Sequence, residues 1–114
     1  KKSSSYGFNI FRTEVFHVGR PFYVKKITIP LNIPVAANQR ILPILKFDDD
    51  TASSVGTEIN NTNYPNSEQL ITLTPDNFAS GVKGQNNCYL ELQFLGTALA
   101  TVALPILIQT ESET

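Results

Sequence analysis

Histidine, cysteine, methionine and tryptophan are scarce or missing in this 114-residue chain, which has one His, one Cys, no Met and no Trp. Each gap closes off some chemistry. Cys88 has no partner for an internal disulfide, and with His17 it falls short of the ligand set of a structural zinc site. Cys88 stands at period two with Leu90, Leu92 and Phe94, so it is expected to be a small buried hydrophobe and not a reactive thiol. No Ser-His-Asp order, glycine-rich phosphate loop or carboxylate pair accompanies His17, and the chain is read as no enzyme. Without methionine, Lys1 reads as the start of a processed product or of a domain cut from something longer. The longest apolar run, Leu95 to Ile108, is broken by Gly96, Thr97, Thr101 and Pro105. It is shorter than the roughly 18–20 residues of a spanning helix, so a buried strand is expected and membrane insertion is not. No secretory leader pattern is visible.

The length is that of one domain. Net charge is −1, unevenly spread: residues 1–46 hold eight bases and Glu14, and residues 47–114 hold Lys83 and nine acids, giving +7 and −8. Such a split fits either a charged partner or two halves that neutralise each other within one fold. Arg20, Tyr23, Lys25, Lys26 and Arg40 are the nearest approach to a basic, aromatic-bearing face. The acidic pI argues against nucleic acid.

Alternation at period two dominates, and no stretch longer than a turn repeats at 3.6. In 8–18, Phe8, Ile10, Phe16 and Val18 are expected on one face. In 22–33, Tyr23, Ile27, Ile29, Leu31 and Ile33 are expected together, opposite Lys26, Thr28 and Asn32. Residues 41–47 read as a central strand and 88–95 as a half-buried antiparallel one. Strands are also read at 69–73 and 98–109. Thr74-Pro75-Asp76-Asn77-Phe78 reads as one capped helical turn that carries Phe78 to the core edge and ends by Gly81. Pro30, Pro43 and Pro105 fall inside strand patterns and should mark bulges or edges. With no helix to cover a sheet, the expected fold is an all-β, antiparallel two-sheet sandwich of about seven or eight strands, jelly-roll or immunoglobulin-like. A true immunoglobulin domain is disfavoured by the missing Trp and cysteine pair. The expected limits are a sandwich over 8–109 between a flexible segment 1–7 and a flexible tail 110–114.

The longest stretch without clear strand pattern is 48–67, rich in Asn, Ser, Thr and Asp. Amide and hydroxyl side chains beside Tyr64 suit a polar ligand such as a glycan, and Asn61, Asn63, Tyr64 and Asn66 are the candidate binding residues. A solvated hairpin with one short strand near Val55–Ile59 is the alternative. Asp48 and Asp50 are weak candidates for Ca²⁺, though the EF-hand pattern is absent; no other cofactor is implied. Asn60-Asn61-Thr62 matches an N-glycosylation acceptor.

The run FYVKKITIPLNIP, the loop NNTNYPNS and the closing ATVALPILI resemble the small jelly-roll domains of viral and phage appendages. The resemblance implies architecture and transfers no site residue. It frames two expectations. The first is a non-catalytic receptor- or glycan-binding module on a virion or phage tail appendage, extracellular or on the virion surface. The second is a structural component of a fibre, baseplate or capsid. A homo-oligomer is expected in either case, with a trimer favoured.

Overall fold

The computed structural model of the chain describes residues 9–31, 35–64, 70–96, 102–103 and 105–112. In chain order its strands are β1 (Asn9–Arg12), β2 (Phe16–His17), β3 (Phe22–Pro30), β4 (Gln39–Phe47), β5 (Ala52–Val55), β6 (Ile59–Asn60), β7 (Leu70–Leu73), β8 (Lys83–Gly84), β9 (Asn87–Gly96) and β10 (Leu107–Ser112). They form two antiparallel sheets, as expected of a sandwich. One runs β1-β9-β4-β5, with β2 on β9 and β6 on β4; the other runs β10-β3-β7, with β8 on β3. Ten strands exceed the expected count because the 8–18 segment is split and short strands form where turn residues are dense.

β4 and β9 make the spine. They pair without interruption from Gln39 opposite Gly96 to Phe47 opposite Cys88. Ile41, Leu45, Phe47, Cys88, Leu90 and Leu92 pack in one core with Phe22, Val24, Ile27, Ile29, Ile71 and Leu73 of the other sheet. Each large side chain so enclosed contributes about 1.5–3 kcal/mol of hydrophobic stabilisation. Pro43 sits within this spine. Its carbonyl accepts from Gly56 N–H at 2.8 Å, so its missing donor faces the stretch where β5 has ended and β6 has not begun. The proline therefore lies where its partner strand is broken, as a residue without an N–H requires. The turn at Pro75–Asn77 forms as a 3-10 turn. Thr74 N–H donates to Asn77 Oδ1 at 2.8 Å, and Phe78 is buried. It ends at extended Phe78, earlier than Gly81.

Two one-residue irregularities reverse the expected faces. In β3 the register against β10 slips between Gln109 and Thr110, and Lys25 and Lys26 are both exposed. This bulge puts Phe22 and Val24 inward with Ile27, Ile29 and Leu31, and turns Tyr23 outward, away from the face the alternation assigned it. Between β1 and β2 the register on β9 slips by one. Ile10 pairs with Gln93 while Phe16 pairs with Cys88, so the two lie on opposite faces. Phe8, Asn32 and Ile33 lie outside the described residues. β10 pairs through Ser112 with Phe22, so Thr110 to Ser112 are strand and not tail.

The chain crosses between sheets repeatedly, which places early strands beside late ones. All three ion pairs among the described residues join a base of the first 46 residues to an acid of the rest: Arg12–Glu91 at 2.9 Å, Lys25–Glu111 at 3.4 Å and Arg40–Glu58 at 3.0 Å. At these pairs the two halves neutralise each other within one copy.

Candidate functional site

Residues 48–64 are largely the return arm of one hairpin on β4, interrupted between β5 and β6, which both pair with it. Its amides serve the turn itself. Asn60 Oδ1 accepts the N–H groups of Thr62 at 3.0 Å and Asn63 at 2.8 Å, while Asn60 Nδ2 donates to Glu58 Oε1 at 2.7 Å. Asn61 Nδ2 donates to the Val35 carbonyl at 3.2 Å, and Asn63 Nδ2 to the Glu58 carbonyl at 2.8 Å. Tyr64 is partly buried against the core. Three of the four candidate binding residues are thus brought together, but as the internal framework of a turn. Asn66 lies outside the described residues.

The aspartates do not gather around a cation. Asp48, Asp49 and Asp50 all have positive φ, at 54°, 57° and 70°, in the turn between β4 and β5. The Asp48 carboxylate accepts backbone N–H groups from Gln85 at 3.0 Å, Asn86 at 2.8 Å and Asn87 at 3.3 Å. Burial works against its charge, yet the three amides outweigh that and hold its carboxyl below the ordinary range. Asp49 Oδ1 accepts from the Asn87 side-chain amide at 3.3 Å. Among the described residues no three acidic, His or Cys side chains could share a metal ion. The aspartates instead latch the β4–β5 turn to the β8–β9 turn.

Beside that latch lies an open cleft of about 640 Å³. Phe47, Ala52 and Ser53 form one wall; Ser80, Gly81, Val82 and Lys83 form the other, with Pro75 and Tyr23 at the rim. Its size is that of a small-ligand site, for which about 300–1,000 Å³ is typical. Two contacts hold the walls. Ser80 N–H donates to the buried Ser54 Oγ at 3.1 Å. Gly84 lets β8 settle onto the aromatic floor, since a Cβ there would stand 2.6 Å from the Phe22 ring and 2.9 Å from Phe47. The Tyr23 hydroxyl donates to Glu111, which Lys25 also approaches. That hydrogen bond raises the phenol above its ordinary value, and Tyr23 followed by Lys25 keeps Glu111 below its own. The phenol therefore remains a neutral donor at neutral pH.

Two further reactive groups among the described residues are held in fixed surroundings. Cys88 is fully enclosed, and burial, with Asp48 adding to it, pushes its thiol up to about 11. Glu91 is 5% exposed on the outer face of the first sheet. Burial opposes its charge, but Gln93 at 3.0 Å and Arg12 at 2.9 Å hold its carboxyl below the usual range. It is a fixed anion and not a proton donor. No family model, curated protein or solved structure matches the chain. The cleft has no local signature, because Tyr23, Ser53 and the Ser80–Lys83 segment lie far apart along the chain and only the sheet crossings bring them together.

Proposed function

We propose that the chain is a non-catalytic binding module whose ligand sits in the cleft between β5 and the 80–83 segment. One observation carries this reading: a cleft whose accessible apolar lining comes from Ala52, Pro75 and the Tyr23 ring is edged by Ser53, Ser80 and Lys83. Apolar area with a few convergent polar groups is the usual make-up of a ligand site. A sugar has both an apolar ring face and a fringe of hydroxyls, so a glycan terminus suits this lining, and a receptor glycan suits a virion or phage tail appendage. A glycan array on the 114-residue chain tests the proposal. Ser53→Trp and Ser80→Trp, which fill the cleft, should each lower retention at least about tenfold with the circular dichroism unchanged. Asn61→Ala should leave retention as it is. Binding that ignores both tryptophans places the ligand elsewhere.

A second reading, a structural assembly module, is favoured by a different feature. Phe11 of β1 and Phe16 of β2 are exposed at one sheet margin, with exposed Val15 in the short link between them.

A further inference from the structure

The cleft opens where one segment leaves the first sheet for the second. Gly56 N–H donates to the Pro43 carbonyl at 2.8 Å, so Gly56, Ser54 and Ala52 turn their backbone groups toward β4, and Val55 and Ser53 turn theirs away. Residues 77–79 meet that outward side in antiparallel fashion. Thr57 N–H donates to the Asn77 carbonyl at 2.7 Å, Gly56 bridges Phe78, and Ala79 N–H donates to the Val55 carbonyl at 2.9 Å. The next rung in this register would join Ser53 to Gly81. It does not form. From Val82 onward the chain pairs with β3 instead: the Val82 carbonyl accepts from Val24 N–H at 2.9 Å, and Lys83 and Gly84 stand opposite Tyr23 and Phe22. The bond from Ser80 N–H to Ser54 Oγ closes the base of the fork.

Ser53 and Gly81 are thus the two lips of an opened ladder. Both are exposed and both line the cleft. Among the described residues neither main chain has a hydrogen bond across the gap, so each lip presents an N–H and a C=O to it. Nothing in the fold demands glycine at 81: its φ is not left-handed, and a Cβ there would meet no atom within 4 Å. Its bare main chain leaves that wall accessible. The opening is short. β5 starts at Ala52, Thr51 belongs to the preceding turn, and the Val55 carbonyl is already taken by Ala79. A peptide strand added to a sheet edge uses a row of such groups, whereas a single amide needs only this one rung.

We infer that the cleft recognises the acetamido group of an N-acetylated amino sugar, whose carbonyl accepts from Ser53 N–H and whose N–H donates to the Gly81 carbonyl. A secondary amide is planar and trans, so its N–H and C=O point in opposite directions, one to each lip, as a missing rung would. Its methyl group matches the apolar lining of Ala52, Pro75 and the Tyr23 ring. The hydroxyls of Ser53 and Ser80 stand at the same edge for the hydroxyls of the sugar ring. This inference rests on the glycan reading of the cleft and narrows it to one class of sugar.

Retention of the 114-residue chain on immobilised N-acetylglucosamine, N-acetylgalactosamine, glucose and galactose is the measurement. At least one acetamido sugar should be held about tenfold or more tightly than its hydroxyl counterpart, the loss expected when two neutral hydrogen bonds go unmade. Ser53→Pro deletes the outward N–H at an edge position where proline is tolerated, and should cut that preference to no more than about twofold with the urea transition intact. Ser53→Ala keeps the N–H and should keep the preference. Gly81→Leu has room in the fold and fills the gap from the other lip, so it should weaken retention of the acetamido sugar at least about tenfold, and it serves as the second variant if Ser53→Pro does not fold. Equal retention of acetamido and hydroxyl sugars, or a preference that survives Ser53→Pro, overturns the inference and leaves the glycan reading standing. Retention of no sugar overturns that reading and the inference with it. Capture of an extended peptide in place of any sugar would make the two lips a strand acceptor and overturn both.

Discussion

The β4–β9 and β3–β10 ladders are the two longest pairings of the sandwich, and they treat an extra residue differently. β4–β9 keeps one register over its whole length, with Ile41, Leu45, Leu90 and Leu92 enclosed. β3–β10 absorbs an additional residue at Lys25, where both Lys25 and Lys26 point to water. In the first ladder each position has one buried face to satisfy. In the second, a lysine pair takes up the slip, and Phe22 and Val24 still reach the core. A one-residue slip in a sheet turns every later side chain over, so what matters is whether the strand has a solvated site in which to place the surplus.

The sharpest way to break this comparison is to insert one serine between Glu91 and Leu92. Every residue on one side of the insertion would then change faces against both β4 and β1, and we expect no cooperative urea transition. An intact transition would mean that β9 can bulge as β3 does.

An intermediate effect is expected at the latch. Asp48→Asn removes the charge that three backbone amides share, and should cost about 1–3 kcal/mol in urea denaturation. The sign with pH follows from the lowered carboxyl of Asp48. Its contribution is complete above the unfolded-state value near about 4 and is lost as pH falls through the lower folded-state value. The variant should therefore lack that part of the acid loss shown by the native chain.

The smallest effect should come from deleting Lys25. The deletion leaves Phe22, Val24, Ile27 and Ile29 on their present face in a regular strand and removes only the exposed pair with Glu111, worth about 0–1 kcal/mol. A loss as large as that of the β9 insertion would show that the bulge itself is required.

These bulges also explain which parts of the fold were legible. Cys88 to Phe94 alternate without a slip, and their face could be read directly, whereas the apolar run Ile41 to Phe47 marked a central strand without showing which face each residue takes. Tyr23 and Ile10 were assigned to the wrong face because alternation carries no sign of where an extra residue is absorbed. Side chains that bind ligands are also the ones that build turns. Asn61 and Asn63 fitted both roles, and their bonds to Val35 ahead of β4 and to Glu58 of the turn have no signature in the sequence. The close approach of Gly84 to Phe22 depends on a pairing between distant strands and has no local signature.

The interleaving of early and late strands also governs the order of events in folding. Arg12 and Glu91 are 79 positions apart and Lys25 and Glu111 are 86, so β1 and β3 find these partners only in strands at the far end of the sequence. Such distant closures must pay their loop entropy before any contact rewards them, and they make folding slow. During synthesis from the amino terminus, the base-rich half emerges before the acids that neutralise it. Its apolar margins stay open until β9 and β10 arrive, and like-charge repulsion among those early bases is then the main thing keeping nascent copies apart.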